Sequence, residues 1–268
     1  MKLQISHETH YRYDAPVRSS TQYLRLMPRD TARQKVLDWK LEAPETPVRT
    51  HDGYGNVLHV LTLDTRISEI RIRASGAVDT LQAVDAPSDF TGAPLSPLLF
   101  LRATTYTRAE GKLAAFLNGF RREAKSLAGL RALAAAIHEK MPFDAEESRV
   151  SPNAAEAFAA RSGAGHDLAH VFIACARGLG IPARYVSGYL CSTRKSEARV
   201  TCHPWVEAWV GNRWSSFDLA HDAPIGEGHV KLAVGADYLD ACPIRGVRIG
   251  GGAETMTSRA ELLAPAPQ

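Results

Sequence analysis

Apolar and polar residues alternate with a period of two through roughly the first 80 residues, the signature of half-buried strands. Leu3, Ile5, Tyr11 and Tyr13 begin the pattern, and Tyr23-Leu24-Arg25-Leu26 and Val36-Leu37-Asp38-Trp39-Lys40-Leu41 continue it. Asp52-Gly53-Tyr54-Gly55-Asn56 reads as a turn, because Gly and Asn accept positive φ. It leads into Val57 to Leu63, and a further alternating run covers Ile67 to Val78. Pro87, Gly92, Pro94 and Pro97 then predict a linker over 86–98. Beyond it the period becomes helical. Leu113, Phe116, Leu117 and Phe120 share one helix face, and Leu127, Leu130, Leu133, Ile137 and Met141 share another. Ser151-Pro152-Asn153 predicts the N-cap region of a short helix, Ala154 to Ala160. Another helix is expected from Gly165 to Arg177, stopped by Gly178-Leu179-Gly180-Ile181-Pro182. Strands return over Ala183 to Leu190, His203 to Val210 and Arg213 to Asp218, the last two joined by a tight Gly211-Asn212 turn. The expected organisation is an N-terminal β-rich, sandwich-like domain over 1–85, the linker, and an α+β core domain over 99–268.

Composition narrows the class. With 45% hydrophobic and 23% charged residues in 268, a disordered chain, a collagen-like fibre and a disulfide scaffold are excluded. Thirty-two Lys and Arg face 29 Asp and Glu for a net charge of +3, without a dense basic run, so no nucleic-acid partner is expected. Met1 to Pro16 lacks the apolar core of a signal peptide, and no later run reaches membrane-spanning length; a cytoplasmic protein without a membrane span is expected. Cys175, Cys191, Cys202 and Cys242 are widely spaced with no CxxC pair, which fits reduced thiols.

Candidate chemistry concentrates in residues 163–218. Gly163-Ala164-Gly165-His166-Asp167-Leu168-Ala169-His170 opens a helix; Gly180-Ile181-Pro182-Ala183-Arg184-Tyr185-Val186-Ser187-Gly188-Tyr189, His203-Pro204-Trp205-Val206-Glu207 and Trp214-Ser215-Ser216-Phe217-Asp218 follow. A nucleophile at a helix N-terminus, a His on one strand and an Asp on the next is the layout of papain-like cysteine chemistry, in which the dipole and the His lower the thiol pKa. These motifs resemble those of bacterial transglutaminase-like proteins: Gly-x-Cys-x-Asp-x-Ala-His, Gly-Ile-Pro-Ala-Arg-Tyr-Val-x-Gly-Tyr, His-x-Trp-Val-Glu and Trp-x-x-Phe-Asp. Tyr11-Arg12-Tyr13-Asp14-Ala15-Pro16-Val17 and Leu26-Met27-Pro28-Arg29-Asp30 are similar to the β-rich domain that precedes the core in that family. The resemblance implies the fold and, at the catalytic His and Asp positions, His203 and Asp218. At the nucleophile position it places Gly165, which has no side chain. It further implies a peptide or protein ligand in the groove; His166, beside the nucleophile position, and Trp205, beside His203, are the substrate-binding candidates, and no cofactor is expected unless zinc is bound.

Three readings follow: a pseudoenzyme that keeps its groove as a binding module, an enzyme with a displaced nucleophile or a bound metal, and an ordinary enzyme whose sequence here carries a substitution at residue 165. Cys175 lies ten residues along the helix, about 15 Å from its start at 1.5 Å per residue, and shares a stripe with Leu168 and Phe172. Cys191 opens the polar loop 192–199 and is a displaced-thiol candidate. Cys202 is the other, although strand alternation is expected to turn it away from a cleft-facing His203. Cys242 offers no recognisable chemistry, and Ser162, three residues before Gly165, is expected as a helix-entry hydrogen-bonder rather than a nucleophile. For a metal, His166 and His170 lie one turn apart and with His203 and Asp218 form a candidate zinc set. No clustered acidic loop implies calcium. Glu207 is expected as a solvated strand carboxylate, Asp167 as a helix-dipole residue, and His7, His10, His51, His59, His138, His221 and His229 mostly as surface or turn residues.

Overall fold

The alternating N-terminal third forms β1 (Lys2–Leu24), β2 (Gln34–Glu42), β3 (Val48–His51), β4 (Val57–Leu63) and β5 (Ile67–Thr80). The structure is a computed structural model that describes residues 1–81, 95–123, 125–144, 153–192, 199–221 and 225–263. The helical third gives α1 (Gly111–Asn118), α2 (Leu127–Lys140), α3 (Ala154–Ala160) and α4 (Gly165–Gly178). They are followed by β6 (Ala183–Ser192), β7 (Arg199–Val210), β8 (Arg213–Phe217), β9 (His229–Gly235), the one-turn α5 (Tyr238–Ala241), β10 (Ile244–Gly250) and β11 (Glu254–Leu262).

β1 is the spine of the first sheet. Its first half lies between β5 and β11, its second half between β4 and β10, all antiparallel. The register against β5 jumps between Arg12 and Val17, where Pro16 has no N–H to donate and the strand bends. Leu24, Leu61, Ile70, Ile72 and Ala74 are buried against one another beneath it. Hydrogen bonding joins this β-rich region into one seven-stranded sheet. Its last two strands come from the C-terminus, so the expected core domain over 99–268 needs correcting: residues 244–262 return to the first sheet. Of the expected linker, residues 86–94 lie outside the described residues, while Pro97–Leu101 forms a 3₁₀ turn that buries Phe100.

The second unit is built around α4, which is buried on every side from Asp167 to Arg177. α1, α2 and α3 cover one flank, and the antiparallel sheet β8-β7-β6-β9 covers the other. The Asp167 carboxylate accepts from the Ala164 N–H at 3.1 Å, satisfying one of the orphan donors of the helix start. At the other end Gly180 takes φ +78°, a left-handed turn that an L side chain resists. Gly211 and Asn212 both take φ +60°, the requirement of the two-residue hairpin between β7 and β8. β8 pairs only with Val206–Val210, so among the described residues no strand pairs with residues 199–205 of β7 on that side, which form an edge.

The two units are joined at β9, the outer strand of its sheet. The Asn56 side-chain amide donates to Val234 O (2.7 Å) and accepts from Val234 N (2.8 Å). The Gln34 amide does the same with the backbone of Lys231, both contacts at 2.8 Å. Asn56→Ala leaves both Val234 backbone groups buried without partners, each costing about 1–3 kcal/mol. Urea unfolding is expected to show a loss of stability of that order with unchanged secondary structure; an unchanged midpoint would mean that the junction does not depend on this pairing.

Candidate functional site

The N-terminus of α4, the free edge of β7 and the first sheet enclose a cavity of about 640 Å³. Gly165, the first residue of α4, forms part of its wall beside His166, Pro204 and His203. A Cβ built on Gly165 would stand 2.8 Å from Pro204 Cγ and 3.3 Å from Pro204 Cδ, so a side chain at residue 165 requires the proline ring to shift. His203 is nearly buried and its Nε2 lies 2.9 Å from Asp218 Oδ2. With Nε2 as the donor, Nδ1 keeps a lone pair and can act as a base.

Asp218 is the most heavily coordinated group of the site. Its Oδ1 accepts from the backbone N–H groups of Ala220 (3.0 Å) and His221 (3.3 Å). Besides His203, its Oδ2 lies 3.1 Å from His221 Nδ1 and 3.3 Å from His229 Nε2. Burial alone would raise the carboxyl pKa, but the hydrogen bonds from His203 and His229 outweigh it and hold the group ionised, well below the usual carboxylate range. His229 Nδ1 accepts from the Gly226 N–H at 3.2 Å, which leaves the proton on Nε2 and makes His229 a donor to the carboxylate.

Residues 3–79 match the bacterial transglutaminase-like N-terminal region and residues 114–219 match the transglutaminase-like superfamily, together more than half of the chain. The chain belongs to the transglutaminase-like superfamily. An uncharacterized protein of Mycobacterium leprae is 29% identical over 265 residues, spanning 94% of this chain and 95% of its own. An uncharacterized protein of Mycobacterium tuberculosis is 27% identical over 277 residues, spanning 92% and 87%. The crystal structure of a candidate cysteine protease from Cytophaga hutchinsonii aligns with a TM-score of 0.75 at 21% identity, covering 100% of this chain and 92% of that one; it shares the fold.

Within that superfamily fold the other sequence-derived candidates separate. His166 lines the cavity, its Nε2 at 3.6 Å from Asp167 Oδ2, beyond hydrogen-bond reach. His170 does not join it: buried between Tyr106 and Tyr185, it accepts the Tyr238 N–H on Nε2, and burial lowers its pKa to about 3. The expected zinc set of His166, His170, His203 and Asp218 is therefore not assembled. Trp205 does not line the cavity either. It is packed behind the histidine with Val186, Ile225 and Val234, its ring stacked on His203 at 6.4 Å. Glu207, expected in solvent, is 1% exposed and paired with Arg184 Nη2 and Lys231 Nζ, each at 2.7 Å. Burial would raise its pKa, but the two cations pull it down to about 2.

The cysteines are equally distinct. Cys202, expected to face away, borders the cavity, because no β8 residue covers that stretch of β7 and the cavity reaches both faces of the strand edge. Its Sγ lies 3.8 Å from His7 Nε2, a ring also held by Tyr189 Oη and Ser258 Oγ, both at 2.9 Å. Burial lowers His7 to about 4 and raises the Cys202 thiol to about 11, so a neutral imidazole faces a neutral thiol. Burial raises Cys175 and Cys191 to about 12 and Cys242 in the same direction. His221 and His229, set aside in the sequence, converge on Asp218; the one available signal is the i, i+3 spacing of Asp218 and His221, which lets a turn bring both to one point.

Two outcomes follow. The Glu207 carboxyl is depressed in the fold, so its contribution is present above its unfolded value of 4.5 and is lost as pH falls toward 2. Glu207→Gln is expected to cost about 3–5 kcal/mol at neutral pH and to remove part of the acid dependence, read from urea midpoints across that window. For the thiols, a value of about 11 in place of 9.0 cuts the thiolate fraction of Cys202 roughly a hundredfold. Iodoacetamide at neutral pH is expected to label it correspondingly more slowly than in the unfolded chain; rapid selective labelling that requires His7 would reinstate a displaced nucleophile.

Proposed function

We propose that this protein is a non-acylating member of its superfamily, a binding module that holds a peptide or protein segment in the cavity beside His203. The observation that carries this reading is the pairing of Gly165 with Pro204: the helix N-terminus that would activate a thiol carries no side chain, and the proline ring crowds the position of a Cβ there. No described cysteine compensates, since the pKa of each of the four thiols is raised above its ordinary value. The groove itself persists, walled by the core on one side and by His7, Thr9, Met256 and Ser258 of the first sheet on the other. Its mixture of apolar walls and scattered polar groups suits an extended segment that presents both side chains and backbone amides.

The test has two arms. Peptides selected from a random library on the wild-type protein are expected to lose binding when Met256, which lines the groove with 56% of its surface exposed, is changed to Arg. In parallel, the wild type is expected to leave an activated ester unhydrolysed above the solution rate. Gly165→Cys alone is expected to give a sluggish thiol, and Gly165→Cys with Pro204→Ala one that alkylates roughly tenfold faster, an increase lost on His203→Ala. Ester turnover by the wild type that disappears in His203→Ala would overturn the binding-module reading, as would failure to select any peptide that depends on the groove.

A further inference from the structure

We propose that His203, Asp218 and His221 form a binding site for a divalent transition cation of the zinc class, a site that does not require a peptide in the groove. His203 Nε2, Asp218 Oδ2 and His221 Nδ1 lie within 4.8 Å of one another. The two nitrogens stand 2.9 and 3.1 Å from the same carboxylate oxygen. Donors around a tetrahedral zinc with bonds of about 2.0–2.1 Å are separated by roughly 3.3 Å, so each nitrogen needs to move only a few tenths of an ångström from Asp218 Oδ2, and the two nitrogens already lie within 4.8 Å of each other. The His221 side chain is 46% exposed and free to make it.

The hydrogen-bond count around Asp218 points the same way. A carboxylate offers about four lone-pair sites, two on each oxygen. Asp218 meets five donors: two backbone N–H groups on Oδ1 and three imidazole nitrogens on Oδ2. Oδ2 is therefore oversubscribed as an acceptor, and a cation drawing lone pairs from His203 and His221 relieves the crowding. His229 is not a ligand, since its Nδ1 accepts from Gly226 and its Nε2 carries a proton. It has the place of a positioning residue that donates to the ligating carboxylate, the outer-shell role usual around metal-bound oxygens. Two imidazoles and a carboxylate leave a position for water or for a carbonyl or carboxylate of a bound segment. The His221 side of the cluster borders the cavity, so that position is reachable from the groove.

Chelator-stripped full-length protein is titrated with Zn²⁺ calorimetrically, and bound metal is counted after desalting. One zinc per chain is expected, absent in His221→Ala and retained in His166→Ala. His229→Gln is expected to keep the stoichiometry and weaken affinity about 10–100-fold. Co²⁺ substitution supplies a readout that mere folding does not move: the visible absorption bands of a low-symmetry four-coordinate site, lost with His221. Failure of the wild type to retain stoichiometric zinc, or retention undiminished in His221→Ala, overturns the proposal; loss in His166→Ala with retention in His221→Ala would move the metal to the helix terminus.

Discussion

The structure depends on how the open edge of β9 is closed. An outer strand presents a row of unpaired N–H and C=O groups, which cost free energy when buried and invite another chain when exposed. Here two side-chain amides from the first sheet stand in for a neighbouring strand, Gln34 against Lys231 and Asn56 against Val234. Arg33 adds a contact to Ile225 O at 2.7 Å and Thr80 one to Glu227 O at 2.6 Å. Each contact is specific to one backbone position, so together they set one register between the sheets on either side of the cavity. The same contacts hold the segment 225–235 that carries His229, which ties the surroundings of Asp218 to the β-rich region as well as to the core.

One face of β7 shows how burial grades the chemistry along a strand. His203, Trp205 and Glu207 share a side by the period of two. His203 stands at the rim and reaches Asp218; Trp205 is sealed behind it; Glu207 lies deepest, gripped by Arg184 and Lys231. The guanidinium of Arg184 rests 4.0 Å from the centre of the Trp214 ring, so the cation is enclosed on its apolar side too. A buried ion pair adds little net stability over an apolar filling, yet removing one member strands the others. Its effect here is on position: it fixes β6, β7 and β9 relative to one another directly behind the histidine.

The periodic segments were legible because period alone decides them. The four helices and the β6–β8 strands stand within a few residues of their expected places, and the Gly211-Asn212 turn needs only its two positive φ angles. The C-terminal return to the first sheet was not legible, because pairing of β10 and β11 with β1 is a contact across more than 200 residues of sequence that no local pattern encodes. Glu207 was misjudged for the same reason: whether a strand carboxylate meets water or two cations depends on Arg184 and Lys231, which only the sheet brings near. His203 and Asp218 were legible through motif resemblance, whereas His221 and His229 gain their meaning only from convergence on a single oxygen.

The departures around Gly165 and around Asp218 bear on one another through His203. In thiol chemistry the imidazole must gain a proton from the nucleophile, and a single carboxylate behind it steadies the resulting cation. On the proposed binding-module reading the imidazole receives no such proton from residue 165, and that demand on Asp218 lapses. The carboxylate is then free to serve several imidazoles at once, which is how it is surrounded. His203 Nε2 can donate a proton to Asp218 or a lone pair to a cation beside it, and the two uses exclude each other. A thiol enzyme needs the first at every turnover, so only a site released from acyl transfer can adopt the second without loss.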